Sequence, residues 1–230
     1  MDMTGRALSG RRIIVLGGTG GLGRSVTQRL RADGASVLVA DARLPADADR
    51  QADVDYVTVD ALDEASVAAA LAKSPPAAVV NLIGGYTPPQ PLSGLDISVL
   101  WQQLEVNLVT AAIVTKHAMP VLAARAGGAL VHVSSRVAVQ SGENGFAYSV
   151  SKLGVVRLVE AAAAEGREQG VRVNCILPSI IDTPANRAAI PGADYDQWPK
   201  PAELAAVLAF LVSDDAALIS GAAIPVYGRV

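Results

Sequence analysis

Tyr148 and Lys152 stand four positions apart and form the pair in this sequence best suited to proton transfer. On a helix, residues at i and i+4 share one face, so the phenol and the ammonium can point into one cleft. A free tyrosine has a pKa near ~10, but a nearby positive charge stabilises the phenolate and lowers that pKa. The spacing therefore predicts a proton-transfer device, against the alternative of a solvated helix face.

A glycine-rich turn near the N-terminus has the composition of a phosphate-binding loop. It lies between the apolar run 12–16 and a predicted helix over 24–32. Glycine permits a tight turn and a close approach of the backbone to a pyrophosphate, and the helix N-terminus offers free N–H groups. Against the alternative of a merely flexible turn, we predict a dinucleotide site. Its predicted residues are Gly17, Thr19, Gly20, Gly21, Leu22 and Gly23.

Asp41 indicates which dinucleotide is preferred. It closes the second apolar run, 18 positions after Gly23, close to the ~20-residue offset at which an acidic residue binds the ribose hydroxyls. A carboxylate there repels a 2′-phosphate, so NAD(H) is favoured over NADP(H), although Arg43 follows two positions later. Asp60, with Ala61 beside it, closes the third run and is predicted to reach the adenine. The alternative for both acids is a turn aspartate at the end of a strand.

Apolar segments alternate with helical ones along the whole chain. The predicted strands cover 12–16, 36–40, 56–59, 77–82, 129–134, 171–176 and 222–226. The predicted helices cover 24–32, 63–72, 96–125, 146–165 and 202–211. Because the strands are continuous apolar runs, we expect them to be buried on both faces. The pattern predicts an α/β fold of Rossmann type, a doubly wound, mostly parallel seven-stranded sheet between helical layers, in a single domain over 1–230.

Two long loops, 84–94 and 183–201, follow predicted strands. In a parallel sheet these strands end at the edge where ligands bind, and loops of this length are often functional. We predict that 183–201 is an integral substrate loop, short enough to leave an open or small pocket. Tyr195 and Trp198 within it either wall that pocket or pack the loop down.

The composition argues against several classes of protein. The formal net charge is −3 without a basic run, which disfavours nucleic-acid binding. The single cysteine, Cys175, excludes an internal disulfide. The two histidines, His117 and His132, have no cysteine or acidic cluster nearby, so no metal site is predicted. Neither a secretion signal nor an uncharged apolar run of membrane-spanning length is found. We expect a cytoplasmic protein that acts on a small molecule, without a nucleic-acid or membrane partner.

The chain resembles the short-chain dehydrogenase/reductase family over 12–228. The matching segments are 17–23 (TGxxxGxG), 81–84 (NAG), Asn107, Ser134 and Ser135, 148–152 (YxxxK) and 172–183 (RVNxxxPGxxxT). The resemblance implies an NAD(P)-dependent oxidoreductase that interconverts a secondary alcohol and a ketone by hydride transfer. It also implies a homotetramer or homodimer, packed through the predicted helices 96–125 and 146–165.

The same resemblance assigns roles to individual residues. Ser135, 13 positions before Tyr148, is preferred over Ser134 as the hydrogen-bond donor to the substrate oxygen, where charge develops. Tyr148 would be the acid/base, Lys152 would lower its pKa and bind the nicotinamide ribose, and Asn107 would hold a relay water. The cofactor contacts implied beyond the glycine loop and the two acids are Asn81, Gly84, Tyr148, Lys152, Pro178, Ile181 and Thr183.

Several positions depart from the family's pattern, beginning with Leu16, which stands where threonine is usual. Ser179 replaces the glycine that usually follows the proline, and Arg136 follows the serine pair, where small or apolar residues are common. Tyr227 lies in a tail that reads VYGR in place of VDGG. The charge of Arg136 can face the substrate, so the substrate does not follow from the resemblance.

The favoured hypothesis is a carbonyl reductase or alcohol dehydrogenase. One alternative within the enzyme class is a 3-oxoacyl-[acyl-carrier-protein] reductase or a polyketide ketoreductase. A second alternative, from another class, is a non-catalytic regulator that senses the dinucleotide. Because both Tyr148 and Lys152 are present, the enzyme is favoured over the regulator.

Overall fold

The computed structural model describes residues 7–140 and 142–229. In this part of the chain one seven-stranded sheet has the order β3-β2-β1-β4-β5-β6-β7, and each neighbouring pair is parallel. The strands are β1 (Arg12–Leu16), β2 (Ser36–Asp41), β3 (Asp55–Thr58), β4 (Ala78–Asn81), β5 (Gly128–Val133), β6 (Val171–Pro178) and β7 (Ala223–Val226). The predicted doubly wound α/β sheet is confirmed, and it is entirely parallel over the described residues.

Helices cover both faces of the sheet. The α-helices are α1 (Gly21–Ala32), α2 (Glu64–Lys73), α3 (Ile97–Gln103), α4 (Thr110–Ala123), α5 (Phe146–Gly166), α6 (Pro184–Ala189) and α7 (Pro201–Val212). Short 3₁₀ turns lie at Asp47–Asp49, Leu92–Gly94, Arg136–Ala138, Arg167–Gln169 and Asp214–Ala216.

Side chains alternate between the two faces of each strand, which divides the core into two layers. In β1, Ile14 and Leu16 pack with the buried residues of α2, α4 and α5. Ile13 and Val15 pack on the opposite face with those of α1 and α7. Each such side chain contributes roughly 1.5–3 kcal/mol when fully buried. The continuous apolar runs of the strands follow from burial on both faces.

The predicted helix 96–125 is interrupted. A π-helical turn, Leu104–Val109, joins α3 to α4, so the helical segment runs from Ile97 to Ala123. By its length and composition this segment is long and apolar enough to cross a membrane. It is not an uncharged apolar run, because it includes Glu105 and Lys116. Its α4 portion packs against the sheet and α5.

Most predicted element boundaries lie within two residues of those observed. The largest difference is at α1, which begins at Gly21 and not at residue 24, because the last glycines of the loop form its first turn. Helix α6, inside the predicted substrate loop, was not predicted. It begins after Thr183, whose hydroxyl accepts a hydrogen bond from the Asn186 N–H, and Pro184 occupies its first turn.

Candidate active site

The turn between β1 and α1 has the shape that a pyrophosphate requires. Gly17 has a φ of +73°, and a Cβ at that position would lie 3.0 Å from the Ile83 nitrogen. A Cβ at Gly23 would lie 2.5 Å from the carbonyl carbon of Gly18, so α1 packs directly on the turn. Among the described residues, no atom lies within 4 Å of a Cβ built on Gly20, and no side chain caps the helix. The open helix N-terminus fits the phosphates of a dinucleotide.

Asp41 stands at the mouth of this turn. Its Oδ2 accepts hydrogen bonds from Thr19, at 3.1 Å from the backbone N–H and 2.7 Å from the hydroxyl. The carboxylate is therefore held beside the glycine loop. Asp60, in the turn after β3, accepts a hydrogen bond from the Leu62 N–H at 2.9 Å, and Ala61 next to it is buried. The carboxylate of Asp60 thus closes its own turn.

Tyr148 and Lys152 lie in the first two turns of α5. The Lys152 Nζ is 5.8 Å from the centroid of the Tyr148 ring and donates a hydrogen bond to the Val133 carbonyl oxygen at 3.1 Å. Lys152 is only 5% exposed. Burial lowers the pKa of Lys152 from 10.5 to about 8, because the ammonium loses hydration.

The pKa of Tyr148 moves in the opposite direction to the one expected. Burial raises this pKa above 10, the hydrogen bond with Ser135 opposes that rise, and the neighbouring Tyr86 adds to it. The net shift in this structure is therefore upward, because the loss of solvent outweighs the favourable hydrogen bond.

The two serines after β5 have different partners. The Ser134 hydroxyl is buried and donates to the Lys152 carbonyl oxygen at 2.7 Å, which ties β5 to α5. Ser135 instead hydrogen-bonds to the Tyr148 side chain. Its Oγ also accepts a longer contact of 3.4 Å from the Val137 N–H. Of the two hydroxyls, that of Ser135 therefore lies beside the predicted acid/base.

Asn107 lies in the π-helical turn, a feature that often occurs at functional sites. Its amide accepts from the Gly85 N–H and donates to the Gly85 oxygen, both at 3.0 Å, and donates to the Ser151 hydroxyl at 3.1 Å. A Cβ on Gly84 would lie 2.8 Å from the Asn107 Oδ1 and 2.9 Å from the Lys152 Nζ. The structure thus brings the predicted residues 84, 107 and 152 together.

The same strand-end segment links the two halves of the site. Gly84 adjoins Lys152, and the preceding Ile83 touches Gly17 of the glycine loop. The segment after β4 therefore contacts both the predicted phosphate site and the predicted acid/base machinery. Residues 83 and 84 are therefore the only chain needed to connect Gly17 of the glycine loop to Lys152.

Asn81 was predicted to contact the cofactor, but its side chain lies in the core. Its Nδ2 is 3.1 Å from the His132 Nδ1, and its Oδ1 accepts from the Ile83 N–H. The Thr115 hydroxyl donates to the Ala111 oxygen, so the His132 Nε2, at 3.0 Å, must donate to Thr115. This pattern requires a neutral ring. Burial, with a further effect of the charge of Lys152, lowers the pKa of His132 to about 3.

The segment after β6 closes over the glycine loop. Pro178 ends β6, and Ile181 packs against the core layer that contains residues of α1 and α7. The Cγ2 of Thr183 would lie 3.3 Å from a Cβ on Gly21. All three residues were predicted to contact the cofactor, and the structure places Thr183 directly against the loop.

Asp182 holds the predicted substrate loop against the rest of the domain. Its carboxylate pairs with both Arg187 and Lys200, and their hydrogen bonds hold its pKa well below the usual range. The Arg187 guanidinium also lies 4.7 Å from the centroid of the Tyr195 ring. Trp198, 5% exposed, packs edge-on against Tyr195 at 5.0 Å. Of the two predicted alternatives for Trp198, packing the loop down is the one observed.

Sequence reasoning missed three residues of this site. Tyr86 stands against the Tyr148 ring, at 5.1 Å between centroids. Gln103, buried, connects Asn107 to the hydroxyl of Thr87 through hydrogen bonds of 3.3 and 2.7 Å. Ser151 is the third. Gln103 could have been found from its position four residues before Asn107 on one helix face. Within 7–140 and 142–229, no group of three or more His, Cys, Asp or Glu residues is placed to hold a metal ion.

Known proteins with similar sequences cover almost the whole chain. A family model described as enoyl-(acyl carrier protein) reductase matches residues 17–228. The cis-4-hydroxycyclohexanecarboxylate dehydrogenase of Sinomonas cyclohexanicum is 32% identical, over 97% of this chain and 98% of that protein. The 7alpha-hydroxysteroid dehydrogenase of Bacteroides fragilis is 28% identical, over 94% of this chain and 92% of that protein.

Solved structures agree with this relationship. A short-chain dehydrogenase/reductase family protein superposes with a TM-score of 0.88 at 27% identity, covering 96% of this chain and 97% of that one. A short-chain type dehydrogenase/reductase from Mycobacterium ulcerans superposes with a TM-score of 0.87 at 26% identity, covering 96% of this chain and 90% of that one. By sequence and by fold, this chain belongs to the short-chain dehydrogenase/reductase family, whose members interconvert CH–OH and C=O groups with a nicotinamide dinucleotide.

Proposed function

We propose that this dehydrogenase/reductase is an NAD(H)-preferring enzyme in which Tyr148 acts as the acid/base on a secondary alcohol or ketone. The observation that carries the proposal is the hydrogen bond between Ser135 and Tyr148, beside the buried Lys152. This cluster adjoins the open glycine turn through residues 83 and 84. A substrate oxygen placed between the two hydroxyls would lie next to the bound dinucleotide.

The residues of the site divide the work on the substrate oxygen. The dinucleotide, when bound, supplies or accepts the hydride. Ser135 donates a hydrogen bond to the oxygen, where negative charge develops during reduction. Tyr148, whose raised pKa keeps it protonated at neutral pH, holds the proton that this oxygen receives. The amide of Asn107 hydrogen-bonds to Gly85 and so anchors the loop that flanks Lys152. The same amide also donates to the Gln103 side chain.

The acid/base role is tested by Tyr148→Phe. General acid–base catalysis contributes ~10²–10⁴-fold, so we expect turnover of an oxo substrate to fall by a similar factor. Tyr86→Phe is the matched control, because it removes a hydroxyl from the neighbouring ring while keeping its edge contact. NADH oxidation is followed with cyclohexanone, 4-oxocyclohexanecarboxylate, a 7-oxosteroid, acetoacetyl thioester and crotonyl thioester. Full turnover by Tyr148→Phe, or reduction of the crotonyl C=C bond alone, would contradict the proposal.

The preference for NAD(H) rests on Asp41. Thr19 holds its carboxylate at the mouth of the glycine loop, where a 2′-phosphate would meet a negative charge. We expect wild-type protein to bind NADH more tightly than NADPH, and Asp41→Asn to narrow that ratio. Asp60→Asn, at the next strand end, is the control. Tighter binding of NADPH by wild-type protein in fluorescence titrations would overturn this preference.

The substrate class is proposed from two relatives. Their names describe action on a hydroxylated ring carboxylate and on a hydroxysteroid. The predicted substrate loop here has a six-residue α-helix, and its Trp198 is buried. We assign this enzyme to secondary alcohols and ketones on a ring.

We also propose a homodimer or homotetramer. Apolar side chains remain exposed on α3, the π-helical turn and α5: Trp101 at 66%, Val109, Phe146 and Leu153. A second copy would remove this apolar surface from water. We expect light scattering to report a dimer or a tetramer, and Trp101→Glu to shift it toward the monomer. A monomeric wild-type protein would contradict the proposal.

A further inference from the structure

Three of the residues that depart from the family's pattern lie together in the folded protein. The guanidinium carbon of Arg136 is 5.2 Å from the centroid of the Tyr227 ring. The Ser179 hydroxyl donates to the Tyr227 carbonyl oxygen at 2.6 Å. These residues follow β5, β6 and β7, so the cluster stands at the carboxyl edge of the sheet, where ligands bind.

Arg136 belongs to the half of the described arginines that pair with no carboxylate. Arg11, Arg12, Arg29, Arg31, Arg50, Arg157 and Arg187 each pair with a carboxylate. Among the described residues, no carboxylate pairs with Arg136. Its Nε donates to the neutral Gln140 side chain at 2.8 Å. A guanidinium has about five N–H donors, so most of those on Arg136 remain for a ligand.

The position of Arg136 relates it to the reacting atoms. It directly follows Ser135, which is the N-cap residue of the 3₁₀ turn Arg136–Ala138 and hydrogen-bonds to Tyr148. Consecutive Cα atoms are ~3.8 Å apart, so a molecule whose oxygen binds Ser135 can extend to the neighbouring guanidinium. A fork of N–H donors matches a carboxylate better than any neutral group, because it binds both carboxylate oxygens at once.

We propose that Arg136 is a specificity-determining residue that binds a carboxylate of the substrate, which makes the substrate a hydroxy acid or oxo acid. This inference rests on the proposed function, since Ser135 and Tyr148 are taken to hold the reacting oxygen. Tyr227 and Gln140 act as positioning residues: the ring supports the guanidinium by a cation–π contact, and the amide fixes its Nε. Ser179 fixes the backbone of Tyr227 in turn. A guanidinium positioned before binding loses less entropy on binding.

Paired substrates test the inference. The probes are 4-oxocyclohexanecarboxylate and its uncharged carboxamide, which differ in charge but hardly in shape. We expect Arg136→Gln to raise KM for the acid by about 10–100-fold, the range of one charged hydrogen-bonded contact, with kcat changed by less than about twofold. KM for the carboxamide should stay unchanged, and Arg136→Lys should recover part of the loss. Arg157→Gln, which removes an exposed arginine of α5, is the control.

The outcomes separate this inference from the proposed function. If Arg136→Gln raises KM equally for the acid and the carboxamide, or raises neither KM, the carboxylate site is overturned. The proposed reductase activity is unaffected by either result. If wild-type protein reduces no ketone, the proposed function fails, and binding of cyclohexanecarboxylate is measured by calorimetry in the presence of NAD⁺. Binding that disappears in Arg136→Gln and returns in Arg136→Lys supports the site. Equal binding by wild-type protein and Arg136→Gln overturns it.

Discussion

The ring of Tyr86 meets the ring of Tyr148 edge to face, with 5.1 Å between centroids and 87° between planes. Tyr86 itself is 63% exposed. The contact shields Tyr148 from water on the side where the loop 84–94 leaves β4. Tyr86 therefore connects the exposed loop to the protonation of the site.

Removing this ring should shift the pH dependence of the reaction. Burial raises the pKa of Tyr148, and the charge of an ionised Tyr86 adds to the rise, so Tyr86→Ala should lower that pKa by admitting water and by removing that charge. The proton needed for reduction would then be lost at lower pH. We expect the alkaline limb of the pH profile of kcat/KM to move to lower pH in Tyr86→Ala and to move less in Tyr86→Phe, which loses the hydroxyl but keeps the ring. An unchanged limb in both variants would contradict this role.

Gly84→Ala should damage the site while its neighbour tolerates the same change. A Cβ on Gly84 would lie 2.8 Å from the Asn107 Oδ1 and 2.9 Å from the Lys152 Nζ, whereas one on Gly85 would meet the Val106 methyls at 3.4 Å. We expect Gly84→Ala to lose at least tenfold in kcat and about 1–3 kcal/mol in stability. Gly85→Ala keeps both backbone bonds to Asn107 and should retain activity. Equal activity of the two variants would show that the crowding is relieved elsewhere.

Lys152 should destabilise the protein at neutral pH. Its folded pKa of about 8 lies below 10.5, so between these values the unfolded chain binds more protons and stability rises with pH. Below pH 8 the full cost of burying the charge is present. Lys152→Met should therefore be inactive but more stable at pH 7, by about 2 kcal/mol after the loss of the bond to Val133. Thermal unfolding should show the gain shrinking toward pH 10.

The exposed Lys116, which pairs with Glu64, provides the control for that measurement. Lys116→Met should change stability by at most about 1 kcal/mol, as is usual for an exposed ion pair. A Lys152→Met protein that is less stable than wild type at pH 7 would show that the ammonium is compensated in the fold.

His132 should make the protein sensitive to acid. Its folded pKa of about 3 lies below 6.5, so the stabilisation is complete above pH 6.5 and is lost as the pH falls toward 3. From pH 7 to pH 4 this loss should be about 3 kcal/mol. The His132→Gln protein should be less stable than wild type at pH 7, because Asn81 and Thr115 lose their shared partner. Its free energy of unfolding should also depend less on pH. His117→Gln, at the other histidine, should keep the slope of wild type.

Asp182 should control the mobility of the substrate loop. It pairs with both Arg187 and Lys200, so Asp182→Asn removes two ion pairs that span the loop. We expect faster amide hydrogen exchange over 183–199 and a severalfold rise in the KM of an oxo substrate. Asp33→Asn breaks a similar pair with Arg29 on α1 and should leave that exchange unchanged. Unaltered exchange in Asp182→Asn would mean that Trp198 holds the loop without the ion pairs.

The sequence alone determined the features that depend on local spacing. Continuous apolar runs predicted the parallel sheet, because only strands covered on both faces can consist almost wholly of apolar residues. The helical repeat placed Tyr148 and Lys152 on one face of α5 without any knowledge of the rest of the fold. Glycine at 17 and 23 predicted the close packing of the first turn, since no other side chain fits there.

Only the tertiary structure decided the properties that depend on burial and on distant partners. Asn81 faces His132 and not the cofactor turn, because β4 and β5 pair side by side across 51 positions of sequence. The pKa of Tyr148 rises because the folded chain removes water from it, which no spacing of residues reports. Arg136 and Tyr227 meet because the order of β5, β6 and β7 brings three strand ends to one corner. Contacts of this kind depend on the sheet order, which becomes known only when the chain is folded.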